Sequence, residues 1–431
     1  MAQAQMTLFG NLATAVTKQQ ASRSGSFVDN MSLPVHRWFR YSAGFASQWV
    51  EQVLADWHVK ADQVVLDPFA GSGTVAVTCD RQQIPSYSVE AHPLVARICK
   101  AKLLWRVPDH RLGRFAEAVL KQAKASPGLT PYPSLIHRSF SEDTLLVLHR
   151  LKVAWSTLND ESPESELVWL AIIAILRPSS KAGTAQWQYI LPSKTKKKVV
   201  APEILFYRQI ESMKSDMRWM QASAQDSLAT VIQGDARKLP DSLRGKVQAV
   251  ITSPPYANNY DYADALRFEM SFWGEVDGWG DIHDKVRKHL IVSSSQHSSR
   301  EKLKLDVLLR SDAVGPIRKE LTQATEALAE VRGSHGGKKH YHTMIAAYFR
   351  DIALTIQQLR LVCGVGSHMC WVIGDSAPYG VYCPVERWIG ELSLAAGFKS
   401  YRFEKLRDRN IKWKNRKHRV PLKEGLLWIE G

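Results

Sequence analysis

The chain has little cysteine, with only five in 431 residues: Cys79, Cys99, Cys363, Cys370 and Cys383. None forms a C-x-x-C pair, which argues against a structural zinc site, and thiols so scattered make no disulfide framework. A cytoplasmic, reducing compartment is the expectation. Long apolar runs are missing too. The longest, residues 167–176, is half the length of a membrane span and reads as a buried helix. The opening MAQAQMTLFGNL lacks a basic segment followed by an apolar one, so no secretion signal is expected. Acidic residues are in deficit, 42 against 57 Lys+Arg, which leaves a formal net charge of +15. Such an excess suits a polyanionic partner, because clustered cations displace counterions from phosphates; a solvated basic surface has the same composition. No internal repeat is present. What is plentiful is packing material: 45% hydrophobic residues and 14 tryptophans argue for a folded chain, long enough for one large domain with insertions or for two domains.

Along the chain, residues 1–30 are polar and poorly periodic and read as a flexible tail. In residues 37–57, Phe45, Trp49, Val50, Val53 and Leu54 recur at helical spacing. Residues 63–67 read as a short buried strand, 74–83 as a helix and 86–90 as a second strand. That strand–glycine loop–helix–strand unit opens a doubly wound α/β sheet. From about 100 to 228 the pattern changes to helices with basic loops, including the lysine-rich residues 193–198. Strand signals return at 229–235 and 247–251. A polar, charged stretch follows from about 275 to 340, then a helix at 341–361 and a buried strand at 369–373.

Two loops carry the chemistry. The first is Asp67-Pro68-Phe69-Ala70-Gly71-Ser72-Gly73-Thr74, closing a strand and opening a helix. Glycines there allow a sharp turn and close approach to a ligand, while the helix N-terminus offers free N–H groups. Glu90, at the tip of the next strand, is placed to accept hydrogen bonds from a ribose diol. No lysine follows the glycines, so a P-loop for nucleoside triphosphates is not expected. A helix-entry turn without a ligand is the plainer alternative for this loop. The second is Ser253-Pro254-Pro255-Tyr256, preceded by Thr252 at a strand end. Consecutive prolines stiffen the corner. The lone pair of an aromatic amino group is delocalised into its ring. A Ser253 hydroxyl and a fixed Pro254 carbonyl are suited to accept both amino hydrogens and so to localise that lone pair for attack on an electrophilic methyl. Tyr256 is suited to stack on the base. Taken alone, this segment reads as a proline turn ending a strand.

Together the loops resemble the signatures of the amino-group DNA methyltransferases, a D-P-F-x-G-S-G-T loop and an S/D-P-P-Y/F/W loop. The resemblance covers about half the chain: residues 36–100, 229–272 and 341–431. It implies a Rossmann-like, S-adenosylmethionine-dependent methyltransferase sheet with a large helical insertion and a second, smaller charged insertion. Residues 31–100 and 229–431 would form the catalytic part, 101–228 the helical insertion and candidate target-recognition region, and 275–340 the charged insertion. Weaker echoes are the segment from His36 through Tyr41 and Ala43 to Phe45, resembling the part that packs on the cofactor's methionine end; Asp235-Ala236, where the acid meets the cofactor's adenine amino group; and Asp375, after a later strand.

By that resemblance the cofactor is S-adenosylmethionine, held by Phe45, the loop from Asp67 to Thr74, Glu90, Asp235 and Ala236. The base is flipped from double-stranded DNA to meet Ser253, Pro254, Pro255 and Tyr256. Serine at the head of the second loop is commoner among cytosine-N4 enzymes, aspartate among adenine-N6 enzymes. Transfer is direct, with no metal; His340 and His342 read as a solvated loop before they read as ligands. Three alternatives stay open: an adenine-N6 enzyme, an RNA guanine-N2 methyltransferase and a non-catalytic DNA-binding subunit of a defence complex. A cognate restriction or defence protein is a candidate partner. Trp187 and Tyr189, the stretch 275–340 and the basic run 405–419 with Trp413 are candidate nucleic-acid contacts. The tail's QMTLF (residues 5–9, starting at Gln5 and ending Leu8-Phe9) resembles the short peptide with which replication and repair proteins bind the sliding clamp.

Overall fold

The computed structural model describes residues 27–126, 128–184, 190–222, 226–259, 261–300, 302–334, 339–409 and 420–431. In chain order its strands are β1 Val64–Asp67, β2 Ser86–Glu90, β3 Ala182–Thr184, β4 Ile190–Thr195, β5 Ala229–Gln233, β6 Val247–Thr252, β7 Cys363–Gly374, β8 Ser400–Arg409 and β9 Leu422–Glu430. Seven form one sheet in the order β5-β2-β1-β6-β7-β9-β8. Neighbours from β5 to β7 run parallel, and β9 and β8 are added antiparallel. This is the expected mixed α/β, Rossmann-like sheet. Its strand order reverses between β1 and β6, because the chain leaves β1 for β2 on one side and later returns through β6 on the other. In open α/β sheets ligands bind at such a switch point, outside the carboxyl ends of the strands.

Alternation along the strands explains the layers. Val65, Ala249, Ile251, Cys370 and Val372 pack on the helices Ser47–Asp56 and Thr74–Arg81. Leu66, Val250, Met369, Trp371 and Ile373 lean the other way, onto a layer with the helices Tyr341–Val362 and Val385–Ala395. Both faces are covered, so the strands read as near-continuous apolar runs. β7 starts well before the expected residue 369. Its first half carries Gly364, Gly366, Ser367 and a 93% exposed Val365, and the register against β6 shifts between Val247 and Ala249, so that half has no apolar signal.

Four helices between β2 and β5, Asp109–Lys124, Glu142–Leu158, Pro163–Ser179 and Pro202–Gln221, share one core. Ser141 and Ser162 cap two of them through side-chain oxygens, as short hydroxyls do at helix starts. The apolar run at 167–176 lies inside Pro163–Ser179 and is buried but for Ala174. Three expectations are corrected. Ser193, Lys194 and Thr195 lie on β4, paired antiparallel with β3, rather than in a loop. The flexible tail expected to reach residue 30 is already packed at Phe27, and Asn30 is buried. The helix expected within 37–57 starts only at Ser47, because the Asn30 carboxamide accepts from Ser47 N (2.8 Å) and donates to the Phe45 carbonyl (2.9 Å), leaving 39–46 as a non-helical strap with a turn closed by Gly44 N donating to the Tyr41 carbonyl (3.2 Å). Residues 5–9, Trp187, Tyr189 and Trp413 lie outside the described residues. Among the described residues no helix is long and apolar enough to cross a membrane.

Candidate active site

The glycine loop leaves β1 at Asp67, whose buried Oδ1 accepts from Phe69 N (3.0 Å) and from the Thr252 hydroxyl (2.6 Å). Thr252 ends β6. One hydrogen bond therefore joins the two motifs, 185 residues apart in sequence, at the switch point. Gly71 and Gly73 both take left-handed φ, +52° and +87°, where an L side chain is strained. Space forbids one as well: a Cβ on Gly71 would lie 2.9 Å from the Tyr41 ring, and one on Gly73 2.5 Å from Cys99 Sγ. Glu90, at the end of β2, accepts from Gly71 N and His92 N, both at 2.8 Å. Its carboxylate thus braces the loop and keeps lone pairs for a ligand. Burial pushes Glu90 and Asp67 each up to about 7. Below the loop, Lys102 Nζ donates to the carbonyls of His36 (3.1 Å) and Phe39 (3.5 Å) and to Ser72 Oγ (3.4 Å), tying the strap to the loop; burial lowers its pKa to about 7. The residues leading into the strap are anchored by the buried Asp216, which accepts from Val35 N (3.1 Å), Arg37 Nε (3.0 Å) and Trp38 Nε1 (2.9 Å).

At the diproline corner, Ser253 Oγ donates to the Val372 carbonyl (3.1 Å) on β7. Its proton is thereby committed, and the oxygen acts toward a ligand as an acceptor. Tyr256 N donates to Tyr262 Oη (3.0 Å), which fixes the residue after the prolines. Arg409, at the end of β8, lies 5.0 Å from the centre of the Tyr256 ring and donates to the Asp375 carbonyl (2.6 Å) and Asn259 Oδ1 (3.3 Å). Gly374 makes room for it, since a Cβ there would sit 2.6 Å from Arg409 Nη1. Asp375 follows β7 and accepts from the Tyr382 hydroxyl (3.0 Å); burial first, and then Glu386, push it up to about 7.

Both loops face one cleft that opens to solvent. From the first loop Pro68, Phe69, Ala70, Gly71, Ser72 and Thr74 line it; Phe45, Glu90, Asp235 and Ala236 add walls, and Ser253 and Pro255 close one end. Asp67, Gly73, Pro254 and Tyr256 are not on the lining: Asp67 and Pro254 are buried behind it, and the Tyr256 ring lies against Arg409. Asp235 is ion-paired with Arg237 (2.8 Å), which also meets Asp351 (2.8 Å).

Sequence reasoning missed several lining residues. His289, Leu290, Ile291 and Ser293 come from the charged stretch, held there by Val292 N donating to Asp351 Oδ2 (3.1 Å) and Asn258 N donating to the Ser293 carbonyl (2.9 Å). No motif marks them, because their backbones make the links. Tyr262 and His92 were also passed over, although each stands close to a flagged motif. His340 and His342 have rings 5.8 Å apart, and among the described residues no three His, Cys, Asp or Glu side chains are grouped to hold a metal ion.

No family model matches the chain. It is similar over most of its length to the Type II methyltransferase M.BsoBI of Geobacillus stearothermophilus, 23% identical over 429 residues that cover 89% of this chain and 82% of that one. It is likewise similar to the Type II methyltransferases M.AvaI of a Nostoc strain and of Anabaena variabilis, each 22% identical over 408 residues and covering 86% of this chain and 81% of theirs.

Proposed function

We propose that the chain is a site-specific DNA methyltransferase that transfers a methyl group from S-adenosylmethionine to the N4 amino group of cytosine. The observation that carries this is the Thr252–Asp67 hydrogen bond of 2.6 Å, which sets the glycine loop and the diproline corner on one cleft. Similarity to Type II methyltransferases along most of the chain supports it.

The cleft fits the donor. Gly71 brings backbone within reach of a ligand where a Cβ would meet Tyr41, and Glu90 and Asp235 supply acceptors for a ribose and for an adenine amino group. Bound there, the donor supplies an electrophilic methyl on sulfur. The chain's residues do the rest. The loop from Ala70 to Thr74 and the strap at Phe45 hold the amino-acid end. Ser253 Oγ, its proton given to Val372, accepts one amino hydrogen of the flipped base. Pro254 and Pro255 keep that geometry rigid, so little reorganisation accompanies attack. Arg409, 5.0 Å from the Tyr256 ring centre, backs the corner from behind by a cation–π contact. The helices of 101–228 serve as the target-recognition region. The excess of 57 Lys+Arg over 42 Asp+Glu suits a phosphate backbone.

The test is to incubate unmethylated DNA with the protein and S-adenosylmethionine, digest to nucleosides and identify the product by mass spectrometry. N4-methylcytosine is expected. N6-methyladenine would transfer the assignment to adenine, methyl found only on RNA guanine would overturn the DNA substrate, and DNA binding without methyl transfer would leave a non-catalytic subunit.

A further inference from the structure

The sequence offers Tyr256 as the aromatic residue to meet a flipped base, and the structure puts its ring elsewhere. Tyr256 is off the cleft lining, with Arg409 5.0 Å from its ring centre. The phenyl and phenol rings on the lining are those of Tyr41, Phe45, Phe69 and Tyr262. Tyr41 and Phe45 belong to the strap and Phe69 to the glycine loop, the side read as the donor's. Tyr262 comes from the chain just after the diproline corner. Its Oη accepts from Tyr256 N at 3.0 Å, the first backbone donor after two prolines that have none. That contact puts Tyr262 beside Pro255, at the end of the cleft where Ser253 stands. The neighbouring residue holds its backbone: buried Asp261 accepts from Arg287 Nε (2.9 Å), Arg287 Nη2 (2.6 Å) and Ala263 N (3.1 Å).

We propose that Tyr262, in place of Tyr256, is the aromatic residue that stacks on the flipped base. This rests on the cleft being a methyl-transfer site with Ser253 at its acceptor end. An extruded base loses its stacking neighbours, and an aromatic side chain in the pocket restores part of that contact. Every base has a π-face, so the role is the same for cytosine and for adenine. A ring pinned at its hydroxyl and at its backbone loses little freedom on receiving the base. Tyr256, with Arg409 against its ring, backs the corner instead.

Methyl transfer to unmethylated DNA and calorimetric binding of S-adenosylhomocysteine test this on the full chain, using Tyr262→Phe, Tyr262→Leu, Tyr256→Phe and Tyr256→Leu. Tyr262→Phe removes the hold on Tyr256 N and keeps the ring. Tyr262→Leu removes both, so the step between the two variants isolates the ring. That step is expected to lower kcat/KM for DNA by about 5- to 150-fold, with S-adenosylhomocysteine affinity within about twofold throughout. A merely structural role, holding Tyr256 N, would leave Tyr262→Phe and Tyr262→Leu equal to within about twofold, and that result overturns the proposal. So does a phenylalanine-to-leucine loss larger at Tyr256 than at Tyr262, which returns the base to Tyr256. A parallel fall in S-adenosylhomocysteine affinity overturns it too, placing the ring on the donor. Tyr262→Met carries the same comparison if Tyr262→Leu does not fold. Wild type that binds S-adenosylhomocysteine but transfers no methyl to DNA would overturn the methyl-transfer reading itself, and this inference with it.

Discussion

Replacing Glu90 by glutamine tests the donor site through its protons. The carboxylate accepts from Gly71 N and His92 N at 2.8 Å each. Glutamine keeps one acceptor and turns an NH₂ toward the other backbone N–H, leaving a buried donor unsatisfied at about 1–3 kcal/mol. Hydrogen bonds from ribose hydroxyls to an ionised carboxylate contribute roughly 1.5–3 kcal/mol, so the variant should bind S-adenosylhomocysteine about 10- to 150-fold more weakly at pH 8. The pH profile is more specific. Burial raises the Glu90 pKa from 4.5 to about 7 in the free protein. Its contribution to folding stability is therefore present below about pH 4.5 and is lost as pH rises through 7. Bound hydroxyls favour the ionised form and pull the pKa down, so binding releases a proton below pH 7. Affinity should rise about tenfold from pH 6 to pH 8 in wild type, and be flat in Glu90→Gln. Asp67 also titrates near 7 but does not line the cleft, so its proton is common to the free and bound states. Calorimetry at pH 6, 7 and 8 measures both. An unchanged slope in the variant, or binding within about twofold of wild type at pH 8, would refute the reasoning.

Gly73→Ala should destabilise the fold by about 2–5 kcal/mol in urea denaturation, from a left-handed φ and from overpacking on Cys99; adding Cys99→Ala should recover only the packing share, and full recovery would show that φ costs nothing here. Ser253→Ala should slow single-turnover methyl transfer on the order of 100-fold while leaving S-adenosylhomocysteine affinity within about twofold. Equal losses in both would make Ser253 a wall of the donor site instead of a group acting on the base.

Local chemistry settled much of this protein in advance. Short apolar strands, the glycines whose φ must be positive, and the paired prolines are all consequences of neighbouring residues, so the sheet's strands and the loops that end β1 and β6 were legible in the chain. β7 was only half legible, because its bulged first half is broken by Gly364 and Gly366 and leaves Val365 exposed. What nearby residues cannot express is which distant groups meet. Asn30 truncating a helix from outside it, Asp216 anchoring the strap, Arg409 lying against Tyr256, and His289 to Ser293 roofing the cleft through Asp351 and Asn258 are contacts made across the fold. Their energy comes from satisfying buried polar groups once the sheet and its helical layers have closed, and only the tertiary arrangement decides which partner each such group finds.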